Sequence, residues 1–230
     1  MSLTSRLEDA WLVIPLYQEE QVIAGVLHEA LDIFPNIVCV DDASGDRSAR
    51  IAQEAGVVVV RHPINLGQGA ALQTGIDYVL AATDPQEGAF LVTFDADGQH
   101  RVQDAAAMVQ RAREENLGAV FGSRFLDDRT RPGPLKKIIL KAAVWLTNQQ
   151  TGMKLTDAHN GLRVLRRDAA QALSLHQNRM AHATEIVLQL GRTGLPWAEH
   201  PVHVLYTDYS RGKGQSSLNS VNILVDLVFR

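Results

Sequence analysis

Ala89-Phe90-Leu91-Val92-Thr93-Phe94-Asp95-Ala96-Asp97-Gly98-Gln99-His100 is a short apolar run that ends in two carboxylates, a glycine and an amide. The run predicts a buried strand, and the polar residues after it suit a divalent metal ion and a diphosphate. Asp95 and Asp97, with one residue between them, lie on the same face of a continuing strand. Gly98 interrupts it, so the chain can turn both carboxylates toward one cation.

Working outward, further β-branched runs at 11–16, 37–40, 57–61 and 119–121 read as strands. Helical spacing fills the gaps: Val22, Val26, Leu27, Ala30, Leu31 and Phe34 predict a helix over 21–34 that Pro35 ends, and 46–55 and 68–80 behave alike. Strands alternating with helices imply a largely parallel α/β sheet whose ligands bind at the carboxyl ends of the strands. After Pro132 the pattern turns more helical, with no linker, repeat or low-complexity tract.

The chain has 230 residues, 46% of them hydrophobic, enough for one sizeable core. A net charge of -4 argues against a nucleic-acid partner. Cys39 is the single cysteine and sits in an apolar run, so it packs as a small hydrophobe and fits a reducing, cytoplasmic setting. The N-terminus lacks the pattern of a signal peptide, and no stretch reaches the ~18 apolar residues of a membrane span.

Each strand end is polar. Pro15 to Glu20, Asp41 to Asp46 and His62 to Gly69 all place carboxylates, amides or glycine where a nucleotide would lie. Glu19 and Asp42 suit base or ribose, and Gly67 and Gly69 permit close backbone approach. Ser44 and Asp46 are equally natural N-caps, and Asn65-x-Gly67 is ordinary turn chemistry.

Together Pro15-x-Tyr17-x-Glu19-Glu20, Asp41-Asp42-x-Ser44-x-Asp46, Asn65-x-Gly67-x-Gly69, Asp95-x-Asp97-Gly98-Gln99-His100 and Gly122-Ser123-Arg124 resemble an inverting family 2 glycosyltransferase, over nearly the whole chain. Thr156 to Arg163 and Tyr209 to Gln215 are similar to the branch of dolichol-phosphate mannosyltransferase and bacterial polyprenyl-phosphate glycosyltransferases. Gln18 departs from the family's asparagine and Ala43 from its glycine. The C-terminal transmembrane helices of many bacterial members have no counterpart before Arg230.

The resemblance implies a GT-A type, Rossmann-like fold with a mixed, mostly parallel sheet. It implies a nucleotide-diphosphate sugar held by Pro15, Tyr17, Glu19, Asp42, Asn65, Gly67, Asp95, Gln99 and Arg211, with Mg²⁺ or Mn²⁺ on Asp95, Asp97 and Gln99. His100 is left outside the coordination shell, as a partner of the ligands, a phosphate contact or a helix start. Asp157 is placed at the reacting groups as base or orienter, with Arg163 as its partner. Glu185 is a candidate base, or else a buried cap or ion pair. Arg124 and Lys213 join the catalytic set, and Arg124 and Arg131 would bind the acceptor phosphate.

Arg129 and Arg131 follow the fifth strand, and Lys136, Lys137 and Lys141 opposite Leu135, Ile138, Ile139, Ala142, Trp145 and Leu146 read as an amphipathic helix for a membrane surface or for the core. Arg211-Gly212-Lys213-Gly214 reads as a lid, and Leu218 to Phe229 as a segment docking on a membrane or a small membrane protein. The expected organisation is a catalytic domain over 1–206 and a basic lid with an amphipathic tail over 207–230. The expected site is the inner membrane face, with an oligomer compatible with the sequence. A saccharide hydroxyl is the alternative acceptor. A sugar-1-phosphate nucleotidylyltransferase lacks its glycine-rich loop after the first strand, and a noncatalytic nucleotide-sugar sensor would keep the same pocket.

Overall fold

The computed structural model describes residues 6–84, 89–127, 144–145, 148–149, 151–178 and 181–205. Arg129, Arg131, the lysines of the expected amphipathic helix, Arg211, Lys213, the lid, the apolar tail and the boundary at 206 lie outside them.

The described strands form one sheet: β1 (Ala10–Leu16), β2 (Asn36–Asp41), β3 (Val58–Arg61), β4 (Phe90–Thr93), β5 (Ala119–Ser123), β6 (Arg163–Arg166) and β7 (Trp197–Pro201), in the order β3-β2-β1-β4-β6-β5-β7. The five strands expected from β-branched runs are present and mutually parallel where paired. Two more strands appear in the stretch expected to be helical. β6 runs antiparallel between β4 and β5, and β7 pairs parallel with β5 at the sheet edge. β6 is four residues, Arg-Val-Leu-Arg, too short to show a period. β7 carries Glu199, His200 and Pro201 and owes its form to the register with β5 rather than to propensity.

Alternate strand residues feed two cores. Leu12, Ile14, Ile37, Cys39, Val92 and Val164 face α1 (Ile23–Leu31), α2 (Ser48–Glu54) and α4 (Val102–Glu114). Val13, Val38, Val40, Leu91 and Leu165 face α3 (Gln68–Ala82) and the helices Arg167–Gln171 and His182–Thr193. Each fully buried Leu, Ile or Val contributes about 1.5–3 kcal/mol, so both faces are strongly specified. Burial also pushes the Cys39 thiol up to about 12, leaving it an inert hydrophobe.

The helix over 21–34 narrows to Ile23–Leu31 because its ends close as turns, with Ile23 N–H on the Glu19 carbonyl and Phe34 N–H on that of Ala30. No described helix is long and apolar enough to cross a membrane.

Candidate active site

β1 turns to β2 on one side and, later in the chain, β4 lies on its other side, so the topological switch point falls between β1 and β4. There β1 continues past its last pairing with β4, at Val13–Thr93, while Pro15 and Leu16 still pair with β2. Pro15, with no N–H to donate, is tolerated where only β2 flanks the strand. A cavity of about 490 Å³ opens at this point, walled by Pro15, Tyr17 and Glu19 from β1 and by Asp95 and Asp97 from β4.

The Asp95 to His100 turn is organised internally. His100 Nε2 lies 2.9 Å from Asp95 Oδ2, and Gln68 Nε2 donates to Asp95 Oδ1 at 3.0 Å. Burial would raise Asp95, but the His100 hydrogen bond and the charges of His100, Arg163 and His182 outweigh it and hold its carboxyl below the usual range. Asp97 goes the other way: burial, then the neighbouring charge of Asp95, push it up to about 6. Two hard oxygen ligands that oppose each other electrostatically suit a divalent cation. Among the described residues no group of three or more His, Cys, Asp or Glu is set to hold a metal ion.

Gln99 enters differently from expectation. Its backbone N–H donates to Asp97 Oδ1 at 3.0 Å, its carbonyl accepts from Leu205, and it is not among the residues lining the cavity. His100 is an Asp95 partner packed edge-on to Phe94, and the helix starts after it, at Val102.

Asn65, Asp42 and Gly67 also line the cavity. Asp42 is buried and accepts from Leu66 N–H at 2.8 Å and Gly67 N–H at 2.7 Å, with His62 Nδ1 at 2.8 Å; His62 Nε2 in turn meets Thr74 Oγ1. It therefore shapes the β3–α3 loop. The two glycines of that loop leave room for protein, not only ligand: a Cβ on Gly67 or Gly69 would sit 2.1 Å from the Asn178 or Gln177 carbonyl oxygen. Ser44 and Asp46 do not cap α2 as its N-cap residue, which is Arg47. Ser44 Oγ accepts from Gln18 N–H, and Asp46 binds Ser48 N–H and Glu20 N–H, tying the first two strand ends together.

Asp157 is buried and gripped by Arg124, Nε to Oδ2 at 2.6 Å and Nη2 to Oδ1 at 2.7 Å. Burial would raise its carboxyl, but Arg124 holds it below the usual range. The partner is thus Arg124, not Arg163. Arg163, 1% exposed, lies where the charges of both Asp95 and Asp157 act on it, and burial still lowers it to about 10. Glu199 Oε1 accepts from the backbone of Thr156 and Asp157, fastening this loop to β7. Neither Asp157 nor Glu185 is among the cavity-lining residues.

Gln68, His159, Gly161, Arg163, His182 and Ala183 also line the cavity. Gly161 is required by close approach, since a Cβ there would meet Asp95 Oδ2 at 2.1 Å. Burial lowers His159 to about 4, leaving it neutral at pH 7. His159 and Gly161 stand in the Asp157 to Arg163 motif that marks them in the sequence. His182 had no such signal, because an Ala-His-Ala run at a helix start is uninformative.

A seven-stranded mixed sheet with this cavity at its switch point has the architecture of the GT-A glycosyltransferases. Glucosyl-3-phosphoglycerate synthase of Mycobacterium tuberculosis, solved with Mn²⁺, UDP and glucosyl-3-phosphoglycerate, shares the fold at a TM-score of 0.66, covering 96% of this chain and 80% of its own at 16% identity. The chain belongs to glycosyl transferase family 2, whose sequence pattern matches residues 11–174. An uncharacterized protein of Methanocaldococcus jannaschii, MJ1222, is 32% identical over 97% of this chain and 92% of its own. The UDP-N-acetylglucosamine--dolichyl-phosphate N-acetylglucosaminyltransferase of Methanococcus voltae is 29% identical over 95% and 94%.

Proposed function

We propose that this glycosyltransferase moves a sugar from a nucleotide-diphosphate donor to a polyprenyl phosphate, with inversion and with Mg²⁺ or Mn²⁺ bound at Asp95 and Asp97. One observation carries the acceptor reading. The two carboxylates that the sequence offers as general bases are both engaged elsewhere, Asp157 by Arg124 and Glu185 by backbone N–H groups of 176–177. A sugar hydroxyl needs a base, whereas a phosphomonoester, with a second pKa of about 6, is already an anion. The dolichyl-phosphate relative supports the same acceptor.

In this reading a phosphate oxygen of the acceptor attacks the anomeric carbon from the face opposite the donor diphosphate. The carbon–oxygen bond to the diphosphate breaks, and its electron pair leaves on the nucleoside diphosphate. Tyr17, Glu19, Asp42, Asn65, Asp95 and Asp97 all line the cavity; in this reading the first four serve the nucleoside and the two aspartates the diphosphate. The bound cation would neutralise developing charge on that leaving group. Arg124, already paired, orients the Asp157 loop, and Arg131, Arg211 and Lys213 are assigned to the acceptor and leaving-group phosphates from the sequence resemblance alone. Peripheral contact with the inner membrane face would bring the lipid acceptor, and Trp145, 63% exposed, suits such a surface.

The test is transfer from a panel of nucleotide sugars to undecaprenyl phosphate in detergent with Mn²⁺ or Mg²⁺, read by mass spectrometry of the glycolipid. Glycolipid formed from one donor is the expected result. Donor turnover onto saccharides or 3-phosphoglycerate, with none onto the lipid, would overturn the acceptor.

A further inference from the structure

Glu185 stands on the helix His182–Thr193, one turn beyond two residues that wall the cavity, His182 and Ala183. Its carboxylate is occupied on the other side. Oε2 accepts from His176 N–H at 3.0 Å and Gln177 N–H at 2.9 Å, while Oε1 lies 3.1 Å from the same His176 N–H and accepts from Gln189 Nε2 at 3.3 Å. All these partners are donors, so the position calls for an acceptor-only group, and the first turn of a helix favours its negative charge.

The backbone that Glu185 holds is pressed against the donor site. Gly69 N–H donates to the Asn178 carbonyl at 3.1 Å, and the 177–178 carbonyls fill the space that side chains at Gly67 and Gly69 would need. Gly67 in turn walls the cavity and gives its N–H to Asp42. Further ties, Leu175 N–H to Gln73 Oε1 at 2.7 Å and Ser174 N–H to Gln189 Oε1 at 2.7 Å, keep the segment in one place.

From this continuity we infer that Glu185 is a positioning residue for the nucleotide half of the donor: it latches segment 176–178 against Gly67 and Gly69 and so fixes the β3–α3 wall of the cavity. The inference rests on the donor site proposed above. It assigns Glu185 to donor affinity rather than to proton abstraction from the acceptor.

The experiment measures UDP and GDP binding with Mn²⁺ by calorimetry, together with KM and kcat for the accepted donor, in wild type, Glu185→Ala, Glu185→Gln and Gly69→Ala. Loss of hydrogen bonds to a charged group predicts that Glu185→Ala weakens nucleotide binding and raises donor KM by about tenfold with kcat little changed. Glu185→Gln keeps one carbonyl oxygen for the segment but turns an NH2 toward donors, so it restores part of the affinity and falls between wild type and Glu185→Ala. Gly69→Ala, which displaces the same segment from its other end without lining the cavity, reproduces the affinity loss, and it carries the test if Glu185→Ala does not fold. A fall in kcat as large in Glu185→Gln as in Glu185→Ala, at unchanged nucleotide affinity, would mean a base and overturn the latch alone. Wild type that binds neither nucleotide would overturn the donor reading and the latch with it.

Discussion

Arg124 and Asp157 form an ion pair whose two members differ in access to water: the Asp157 side chain is 1% exposed and that of Arg124 12%. The carboxylate therefore depends on the guanidinium more than the reverse. Removing one partner of a buried pair costs about 3–5 kcal/mol when the other charge is stranded. Arg124→Ala should fall in that range, and Asp157→Ala below it, because the freed arginine can reach solvent. Urea unfolding of the two variants checks this, and an Asp157→Ala loss equal to or greater than that of Arg124→Ala would contradict the asymmetry.

Asp97 sets a pH window. Its folded carboxyl titrates near 6 against 3.8 for an ordinary aspartate, so between those values the native state holds a proton that the unfolded chain has released. Stability contributed by this group is present below the unfolded value and is lost as pH rises through 6, by up to about 3 kcal/mol. Asp97→Asn should flatten the dependence between pH 4 and 6. Because a cation needs the ionised form, Mn²⁺ affinity should climb by up to about tenfold per pH unit below 6 and level off above it, measured by titration calorimetry.

His100 orients Asp95 from behind. Loss of such an outer partner typically costs about 10–100-fold in metal affinity. His100→Ala should weaken Mn²⁺ binding within that range, while His100→Gln, whose amide can still donate to Asp95, loses less. Equal Mn²⁺ affinity in wild type and the alanine variant would show that Asp95 is held without it.

Gln18 and Ala43 have left-handed backbones, with φ of +54° and +60°. These are the two positions where the sequence resemblance implies asparagine and glycine, residues that tolerate this conformation. The left-handed cost of about 1–2 kcal/mol for Ala43 exceeds the roughly 0.5–1 kcal/mol of extra chain entropy that glycine brings. Ala43→Gly and Gln18→Asn should each stabilise by about 0.5 kcal/mol, near 1–2 °C in melting temperature for a domain of this size. Calorimetric melting of both single variants decides it, and a lower melting temperature in Ala43→Gly would mean its side chain contributes more than the backbone loses.

The sequence disclosed those parts of the fold that carry their own signal. β1 to β5 are β-branched runs with polar ends, and the site inherits Asp95, Asp97, Asp42 and Glu19 directly from those ends. What escaped it depends on tertiary partners. β6 is a strand because β4 and β5 each offer it an edge. Asp157 pairs with Arg124, 33 residues away, rather than with the nearer Arg163. Gly69 is small because of a carbonyl more than a hundred residues later. Spacing names candidate ligands but does not say which neighbour claims each one.

The antiparallel strand β6 has a consequence for the order in which the enzyme is made. Its register sets Arg163 opposite Thr93, and the Thr93 hydroxyl donates to the Gly161 carbonyl at 2.6 Å, so the floor under Asp95 is laid by residues 68–70 positions downstream. β1 to β4 can pair through short crossovers as they leave the ribosome, but the central gap between β4 and β5 stays open until β6 is synthesised and inserted. Contacts of such long range close late in folding. A nascent chain ending before about residue 160 would thus carry every strand-end carboxylate of the donor site and still lack the wall that sets Asp95 in place. On the proposed donor site, nucleotide binding should come late in folding: a ribosome-stalled series should show none until β6 and then the helix His182–Thr193, which brings His182 and Ala183 to the cavity, have emerged.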